Sequence, residues 1–184
     1  HAGARPMRGR RDPMAGAAEI ISRVIDEAVR MGAPAVTTVG RLHVEPNLTA
    51  AVPERVTFTI DARHPDPGPL AELHARQAAV VRSVAGRRDL EARSRILFEQ
   101  PPCPSDPELV ALLERTASDL GVPALTMHSG GGHDSQQLAR LARVVMLFVR
   151  SAGGRSHTPE EYTAPEDAAL GIEVLAEAIR RLAY

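Results

Sequence analysis

The chain has 184 residues, of which 43% are hydrophobic and 24% charged, and its formal net charge is −1. This balance is typical of a globular protein, and the near-zero charge argues against nucleic acid or an anionic membrane as a partner. No apolar run approaches the roughly 18 residues that a membrane span needs. The single cysteine, Cys103, cannot form an internal disulfide, which indicates a reducing compartment and predicts a cytoplasmic protein.

The first predicted element is an amphipathic helix. Asp12 is a suitable N-cap, Pro13 suits the first helical position, and Gly32 is a natural end. Apolar residues recur along this segment with helical spacing at Ala17, Ile20, Ile21, Val24 and Ala28.

Two strands are predicted next, at residues 36–44 and 56–60. In the second, Phe58 and its apolar neighbours two residues away alternate with polar residues, which predicts one buried and one polar face. Arg63 has the same parity as Asp61, so we expect it to project from the polar face.

A second helix and a third strand complete the first part of the chain. The helix ends at Gly86, and residues 90–98 are the predicted strand. The apolar stripe of the helix is Leu70, Leu73, Val80, Val81 and Val84. The order helix, strand, strand, helix, strand predicts an antiparallel sheet with two helices on one face. One preceding strand would complete a ferredoxin-like α+β pattern.

Residues 100–104, Gln-Pro-Pro-Cys-Pro, predict a linker, so we place domains at residues 1–100 and 101–184. Beyond the linker helices and strands alternate, which is typical of a parallel α/β sheet. Two strands are clear, at 124–127 and 144–149, and the second is apolar throughout, like a strand buried on both faces. Because two strands cannot cover both faces of such a sheet, we expect this part to belong to a larger domain.

Three helices are predicted around these strands. Ser105 and Glu108 form a capping box for the first, the second runs from Asp134 to about Arg140, and Thr163 with Glu166 begins the last. The predicted buried stripe of the last helix is Ala168, Ile172, Leu175, Ile179 and Leu182.

Two loop motifs carry side chains suited to catalysis. The motif Ser-His-x-Pro-x-Glu at 156–161 follows the apolar strand, where α/β proteins place ligands, and the neutral imidazole of His157 is a good ligand for a divalent metal. The glycine-rich turn at 130–134 enters a helix and can present backbone N–H groups to an anion. Each motif alone is weak, because a lone loop histidine is more often structural and Asp134 can simply be an N-cap.

Four motifs in order resemble one family. They are His1-Ala2-Gly3, Ile60-Asp61-Ala62-Arg63, Gly130-Gly131-Gly132-His133-Asp134 and Gly154-Arg155-Ser156-His157-Thr158-Pro159-Glu160-Glu161. Together they resemble the C-terminal half of the metal-dependent amidohydrolases of the M20 peptidase-like group, in the branch of N-carbamoyl-L-amino acid hydrolases and allantoate amidohydrolases. The resemblance covers essentially the whole chain. It also implies that the chain, which opens inside a motif and lacks an initiator Met, is part of a longer protein.

The resemblance implies a fold and a set of roles. The fold is a ferredoxin-like lid or dimerisation domain, through which a homodimer forms, followed by the C-terminal part of a parallel-sheet catalytic domain. His1 is implied as a catalytic residue that polarises the scissile carbonyl in the partner's active site. Arg63 is implied to clamp a substrate carboxylate, and Gly132 and His133 to bind substrate. His157 is implied as a ligand of two divalent ions, Zn or Mn, whose other ligands lie outside this chain.

Three positions depart from the family pattern. Ala50 stands where the family usually has a substrate-binding Asn, Gly131 where it has Ala, and Arg150 where it has Pro. Because an alanine side chain cannot donate or accept a hydrogen bond, we expect the Asn-to-Ala change to weaken binding by roughly 1 to 3 kcal/mol. Shifted specificity or reduced activity would follow.

The implied function is hydrolysis of a C–N amide bond in an N-carbamoyl amino acid or a ureido compound such as allantoate. The substrate is then a small molecule with a carboxylate, and neither nucleic acid nor a membrane is a partner. Two alternatives stay open: an aminoacylase or dipeptidase of the broader M20 group, and a non-catalytic remnant that only dimerises and binds.

Overall fold

A computed structural model describes residues 1–183 of the chain. No helix within that range is both long enough and apolar enough to cross a bilayer. The elements in chain order are α1 (Pro13–Met31), β1 (Val36–Glu45), β2 (Arg55–Arg63), α2 (Pro67–Arg87), α3 (Pro107–Asp119), α4 (Ser135–Leu138), a short 3-10 turn (Ala152–Gly154) and α5 (Pro165–Ala183). They fall into two units, unit 1 (His1–Pro102) and unit 2 (Cys103–Tyr184).

The first predicted helix is confirmed at both ends. Asp12 Oδ1 accepts the N–H groups of Met14 at 2.9 Å and Ala15 at 3.2 Å, so it satisfies donors that the first helical turn leaves without partners. Pro13 occupies the first position, and Gly32 follows the last turn with φ of 80°, a conformation that glycine adopts without a steric penalty.

The two predicted strands are confirmed as an antiparallel hairpin. Val36 lies opposite Arg63 and Glu45 lies opposite Arg55, with an irregularity in the register between Thr38 and Arg41. Successive residues of a strand point to opposite faces, so β2 sends its apolar residues to one side and its charged end residues to the other.

The core of unit 1 lies between α1, α2 and one face of the hairpin. Its buried centre is Ile20, Val24, Val80 and Val84, against which Val39, Phe58, Ile60 and Val81 pack. One polar side chain enters it: Gln77 is buried and donates from Nε2 to the carbonyl oxygen of Val24 at 3.2 Å and to Thr37 Oγ1 at 2.9 Å. This amide therefore ties both helices to β1.

The third strand of this unit, predicted at residues 90–98, is not present. The sheet within residues 1–183 has two strands, and Ile96, Leu97 and Phe98 are exposed. An alternating or apolar sequence indicates that a segment prefers burial. A β-strand also needs a neighbouring strand about 4.8 Å away with which its backbone can form hydrogen bonds. Residues 90–98 have no such partner in the described chain, so the observed fold is two helices on a hairpin.

In unit 2, the N-cap of α3 is Asp106 and not the predicted Ser105. Asp106 Oδ1 accepts the N–H groups of Glu108 and Leu109, both at 3.0 Å. Pro107 then takes the first helical position, as Pro13 does in α1. The predicted capping box was wrong by one residue because Pro107 begins the helix, which makes Asp106 the residue at the cap position.

The predicted buried stripe of α5 was also wrong. The helix buries Val174 and Ala178 as it packs on α3, where Thr116 and Ala117 are buried. Small side chains allow two helices to approach closely, so the contact forms along this narrow stripe. The larger residues of the predicted stripe are exposed instead: Ile172, Leu175, Ile179 and Leu182.

No strand forms in unit 2 within the described residues, although strands are predicted at 124–127 and 144–149. The apolar run 144–149 is only partly buried, and Phe148 is half exposed. The predicted parallel sheet therefore has no counterpart in the observed unit, since neither segment meets a neighbouring strand. Helix α4 is shorter than predicted, and Asp134 stands at its cap position without a capping side-chain hydrogen bond.

The N-cap of α1 supports a stability prediction. Asp12→Ala is expected to lower the free energy of unfolding by about 1 kcal/mol, because two backbone donors lose their acceptor. Asp26→Ala, which removes an exposed carboxylate from the same helix, is the control and should change it by less than about 0.5 kcal/mol. Urea unfolding followed by circular dichroism measures both; equal effects would contradict the capping role.

Candidate functional site

Arg63 lies at the end of β2 on the polar face of the hairpin, as predicted. Its Nε and Nη2 donate to the two carboxylate oxygens of Asp61 at 2.8 and 2.7 Å, a bidentate pair in which both side chains are about half exposed. The hydrogen bond from Arg63 holds the pKa of Asp61 below its ordinary value, and the same bond raises the pKa of Arg63. The planar fork of this guanidinium is thus occupied by a carboxylate of the same strand.

His1 is exposed, and the backbone beside it is anchored. The N–H of Ala2 donates to the carbonyl oxygen of Ala50 at 2.8 Å, and Arg10 Nη2 donates to the carbonyl oxygen of Ala2 at 2.6 Å. The structure therefore brings the predicted catalytic residue next to the position where the family pattern has Asn. The N–H of Gly3 donates to His1 Nδ1 at 3.1 Å, so in the neutral ring the proton stands on Nε2.

His133 is half buried and held by side chains on two sides. Its Nε2 lies 2.7 Å from Ser129 Oγ, and its ring packs edge-on against Phe148 with ring centroids 5.6 Å apart. Gly132, which is also predicted to bind substrate, precedes it, and the N–H of His133 donates to Gln136 Oε1 at 3.4 Å. The ring orientation is therefore set by contacts within the loop and the apolar run.

His157 occupies an exposed loop in a left-handed conformation, with φ of 59°. Such a conformation is uncommon for a residue with a side chain. The carboxylate of Glu161 accepts the N–H of His157 at 2.8 Å, and the N–H of Ala152 donates to the carbonyl oxygen of Tyr162 at 2.7 Å, which closes the loop at its base. The Glu of the Ser-His-x-Pro-x-Glu motif thus shapes the backbone that carries the imidazole.

Arg150, which replaces the usual Pro, has a structural explanation. Its Nη2 and Nε donate to Asp167 Oδ1 at 2.8 and 3.1 Å, so it joins the start of the His157 loop to the first turn of α5. The Arg150 side chain is largely exposed, and we therefore expect this ion pair to contribute little to stability.

The described residues supply no complete metal site. Within residues 1–183 no three His, Cys, Asp or Glu side chains lie close enough together to hold a metal ion. His157 can offer one imidazole, and one ligand does not hold a metal pair. The roles predicted for the site residues stay predictions, with His1 and Arg63 placed in unit 1 and Gly132, His133 and His157 in unit 2.

Sequence reasoning missed three contributors to these arrangements. The ion pair between Asp61 and Arg63 was not predicted, although a spacing of two along a strand places both side chains on one face. Ser129 and Phe148 contact His133 from a loop and from a distant segment. No sequence rule links these two positions to the histidine, because irregular loops have no fixed period.

The Arg63–Asp61 pair supports a pH-dependent prediction. Because the folded-state pKa of Asp61 is lowered, the pair stabilises the fold above the ordinary Asp pKa of about 3.9 and loses this contribution as pH falls through the folded-state value. Arg63→Ala should therefore unfold at lower urea concentration than the wild type at about pH 7, with a deficit that shrinks towards about pH 3. Arg41→Ala, an exposed arginine on β1, is the control; a deficit in Arg63→Ala that does not vary with pH would contradict the pair's role.

Comparison with known proteins identifies relatives along the whole chain. An N-carbamoyl-L-amino acid amidohydrolase of Geobacillus stearothermophilus is 39% identical over 183 residues, which cover 100% of this chain and 44% of that relative. An allantoate amidohydrolase of Bacillus subtilis is 33% identical over 184 residues, covering 100% of this chain and 45% of that relative. The chain thus spans less than half the length of these curated relatives.

Solved structures and a family model agree with these relatives. An amidase of the hydantoinase/carbamoylase family from Burkholderia multivorans superposes with a TM-score of 0.90 at 35% identity, over 97% of this chain and 44% of that chain. The model described as Peptidase family M20/M25/M40 matches residues 2–181. The chain therefore belongs to peptidase family M20, and the curated relatives that it resembles include N-carbamoyl-L-amino acid and allantoate amidohydrolases.

Proposed function

We propose that the protein to which this chain belongs is an amidohydrolase that cleaves a C–N amide bond in N-carbamoyl-L-amino acids or in ureido acids such as allantoate. The observation that carries this proposal is the 39% identity to the Geobacillus stearothermophilus N-carbamoyl-L-amino acid amidohydrolase, which extends over the whole chain. Substrates of this class are small molecules that combine a carboxylate with a carbamoyl or ureido group. The site must therefore bind an anion and polarise a carbonyl.

Arg63 is our candidate for binding the carboxylate. Its Nε and Nη2 already pair with the two carboxylate oxygens of Asp61, so a substrate carboxylate would take the place of Asp61 at this planar fork. A lysine at this position would keep the charge and lose the two parallel hydrogen bonds, so it is not an equivalent replacement.

His1 is our candidate for polarising the scissile carbonyl. The ring hydrogen-bonds Gly3 N–H through Nδ1, which directs the neutral-ring proton to Nε2 and makes that nitrogen a donor. A donor aimed at a developing oxyanion accelerates amide hydrolysis because it binds the transition state more strongly than the substrate. Following the resemblance, we propose that this residue acts across a homodimer formed through unit 1, a ferredoxin-like lid in the complete protein.

His157 is our candidate for a metal ligand, and Gly132 with His133 for substrate contacts beside it. A pair of divalent ions, Zn or Mn, would lower the pKa of a bound water and act as Lewis acid towards the carbonyl. Its remaining ligands would come from parts of the protein outside this chain. Glu161 supports this role of His157 by fixing the backbone from which the imidazole projects.

The first test of the function measures hydrolysis by the complete gene product. We expect release of ammonia from N-carbamoyl-L-amino acids or allantoate, loss of activity after dialysis against a chelator, and recovery with Zn²⁺ or Mn²⁺. N-acetyl amino acids and dipeptides are assayed in parallel, and preference for them would favour an aminoacylase or dipeptidase. No hydrolysis of any of these compounds by the metal-loaded protein would favour a non-catalytic binding protein.

The second test separates the roles of individual residues. Arg63→Lys should raise KM by about 10- to 100-fold with a smaller change in kcat, because one charged bidentate contact to the carboxylate is lost. His157→Ala should abolish activity by removing a metal ligand, whereas His74→Ala, an exposed histidine on α2, should leave it unchanged. An Arg63→Lys enzyme with unaltered KM would remove the carboxylate role from Arg63.

A further inference from the structure

The turn before His133 folds back so that one hydroxyl contacts both its backbone and its imidazole. Ser129 Oγ lies 3.2 Å from the backbone N of Gly131 and 2.7 Å from His133 Nε2. The backbone N–H can only donate, so Ser129 Oγ accepts from Gly131. The hydroxyl proton is then available for one further hydrogen bond, and His133 Nε2 lies within hydrogen-bonding distance at 2.7 Å.

This pattern of donors and acceptors favours one tautomer of His133. If the hydroxyl donates to Nε2, that nitrogen carries no proton, and the neutral ring holds its proton on Nδ1. In the opposite arrangement Nε2–H would donate to Ser129, which would accept twice and leave its own proton without a protein acceptor within residues 1–183. The first arrangement is favoured because the 2.7 Å distance is nearer the usual length for an O–H donor than for an N–H donor, and it leaves Nδ1–H for a ligand.

Gly131 leaves the space that this arrangement needs. A Cβ on Gly131 would lie 3.1 Å from His133 Nε2, 3.4 Å from His133 Cε1 and 3.5 Å from Ser129 Oγ. The first distance is tighter than an ordinary van der Waals contact, so a methyl group here would require the His133 ring to shift by a few tenths of an ångström. The glycine that replaces the family's usual alanine therefore leaves the His133 ring room to approach Ser129 Oγ.

We propose that Ser129 is a positioning residue that holds His133 in the Nδ1–H tautomer and so presents Nδ1–H as the donor to an oxygen of the substrate. This inference rests on the proposed function, because it assigns His133 to the substrate site. The ring is confined by Ser129 at Nε2 and by Phe148 at its edge. Because the ring is already confined, less conformational entropy is lost when the Nδ1–H donor is oriented towards a bound substrate.

The same 2.7 Å distance would also suit a serine nucleophile with histidine as its base. Such a pair needs a third group that orients the base. Within residues 1–183 no side chain accepts a hydrogen bond from His133 Nδ1. The geometry therefore favours a serine that positions the histidine over a serine that attacks the substrate.

The tautomer is measurable in the complete protein without any catalysis. Two-bond ¹⁵N–¹H correlation spectra of the imidazoles at about pH 8, above the ordinary histidine pKa of about 6.5, distinguish Nδ1–H from Nε2–H. Spectra of His133→Asn identify the His133 signals by their loss. We expect Nδ1–H in the wild type and a shift towards Nε2–H in Ser129→Ala.

Two further variants keep the test decisive. Gly131→Ala should shift the tautomer in the same direction as Ser129→Ala, because its methyl group displaces the ring while the hydroxyl remains. Ser135→Ala removes a nearby hydroxyl that contacts Met146 Sδ and not His133, so it should leave the His133 signals unchanged. A wild-type ring in the Nε2–H form, or a tautomer indifferent to both Ser129→Ala and Gly131→Ala, would overturn the proposal.

Kinetic measurements on the complete enzyme distinguish a failure of the positioning role from a failure of the proposed function. Ser129→Ala should lower kcat/KM about tenfold, and a Ser129→Thr variant, which retains a hydroxyl, should recover most of this loss. A tautomer shift in a protein that hydrolyses none of the substrates would contradict the proposed function alone. Unchanged kinetics of Ser129→Ala in an active enzyme would instead contradict the positioning role.

Discussion

The arrangement of unit 1 depends on the packing of two helices over one face of a two-stranded sheet. Val24 and Val84 are fully buried where α1 and α2 meet the hairpin, and Phe58 packs against them from β2. Because side chains alternate along a strand, burial of one set forces the other to the opposite face. Asp61 and Arg63 therefore leave the core together. A shift of one residue in register would bury both charges, so the packing that stabilises the unit also determines where the guanidinium projects.

Unit 2 is organised differently, and its candidate residues depend on local hydrogen bonds. Helices α3 and α5 pack through small side chains, while the loops shape themselves through contacts such as Glu161 with the backbone of His157 and Ser129 with the ring of His133. Much of the apolar surface of this unit, including Ile172 on α5 and Phe148 in the apolar run, is exposed. Hydrogen bonds within a loop fix the orientation of a side chain only if the loop itself has a fixed conformation.

The departures from the family pattern are more informative in the structure than in the sequence. The backbone of Ala50 still accepts a hydrogen bond from Ala2, so the segment that carries the first histidine is positioned without an Asn side chain at this place. Arg150 reaches Asp167, and Gly131 gives the His133 ring room to approach Ser129. Each replacement thus lies near a proposed site residue, which is where changes in substrate preference would be expected.

Local signals were sufficient to predict α1, the hairpin and α2, because capping residues, helical spacing and strict alternation all agree with the core of unit 1. The ordered motifs of the sequence also identified the family. Tertiary structure decided which apolar segments pair and which stripe of α5 is buried, since strands at 90–98 and 144–149 need neighbours and the α3–α5 contact favours small residues over large ones. It alone decided the surroundings of His133, because a loop hydroxyl and a distant ring meet there without any spacing rule.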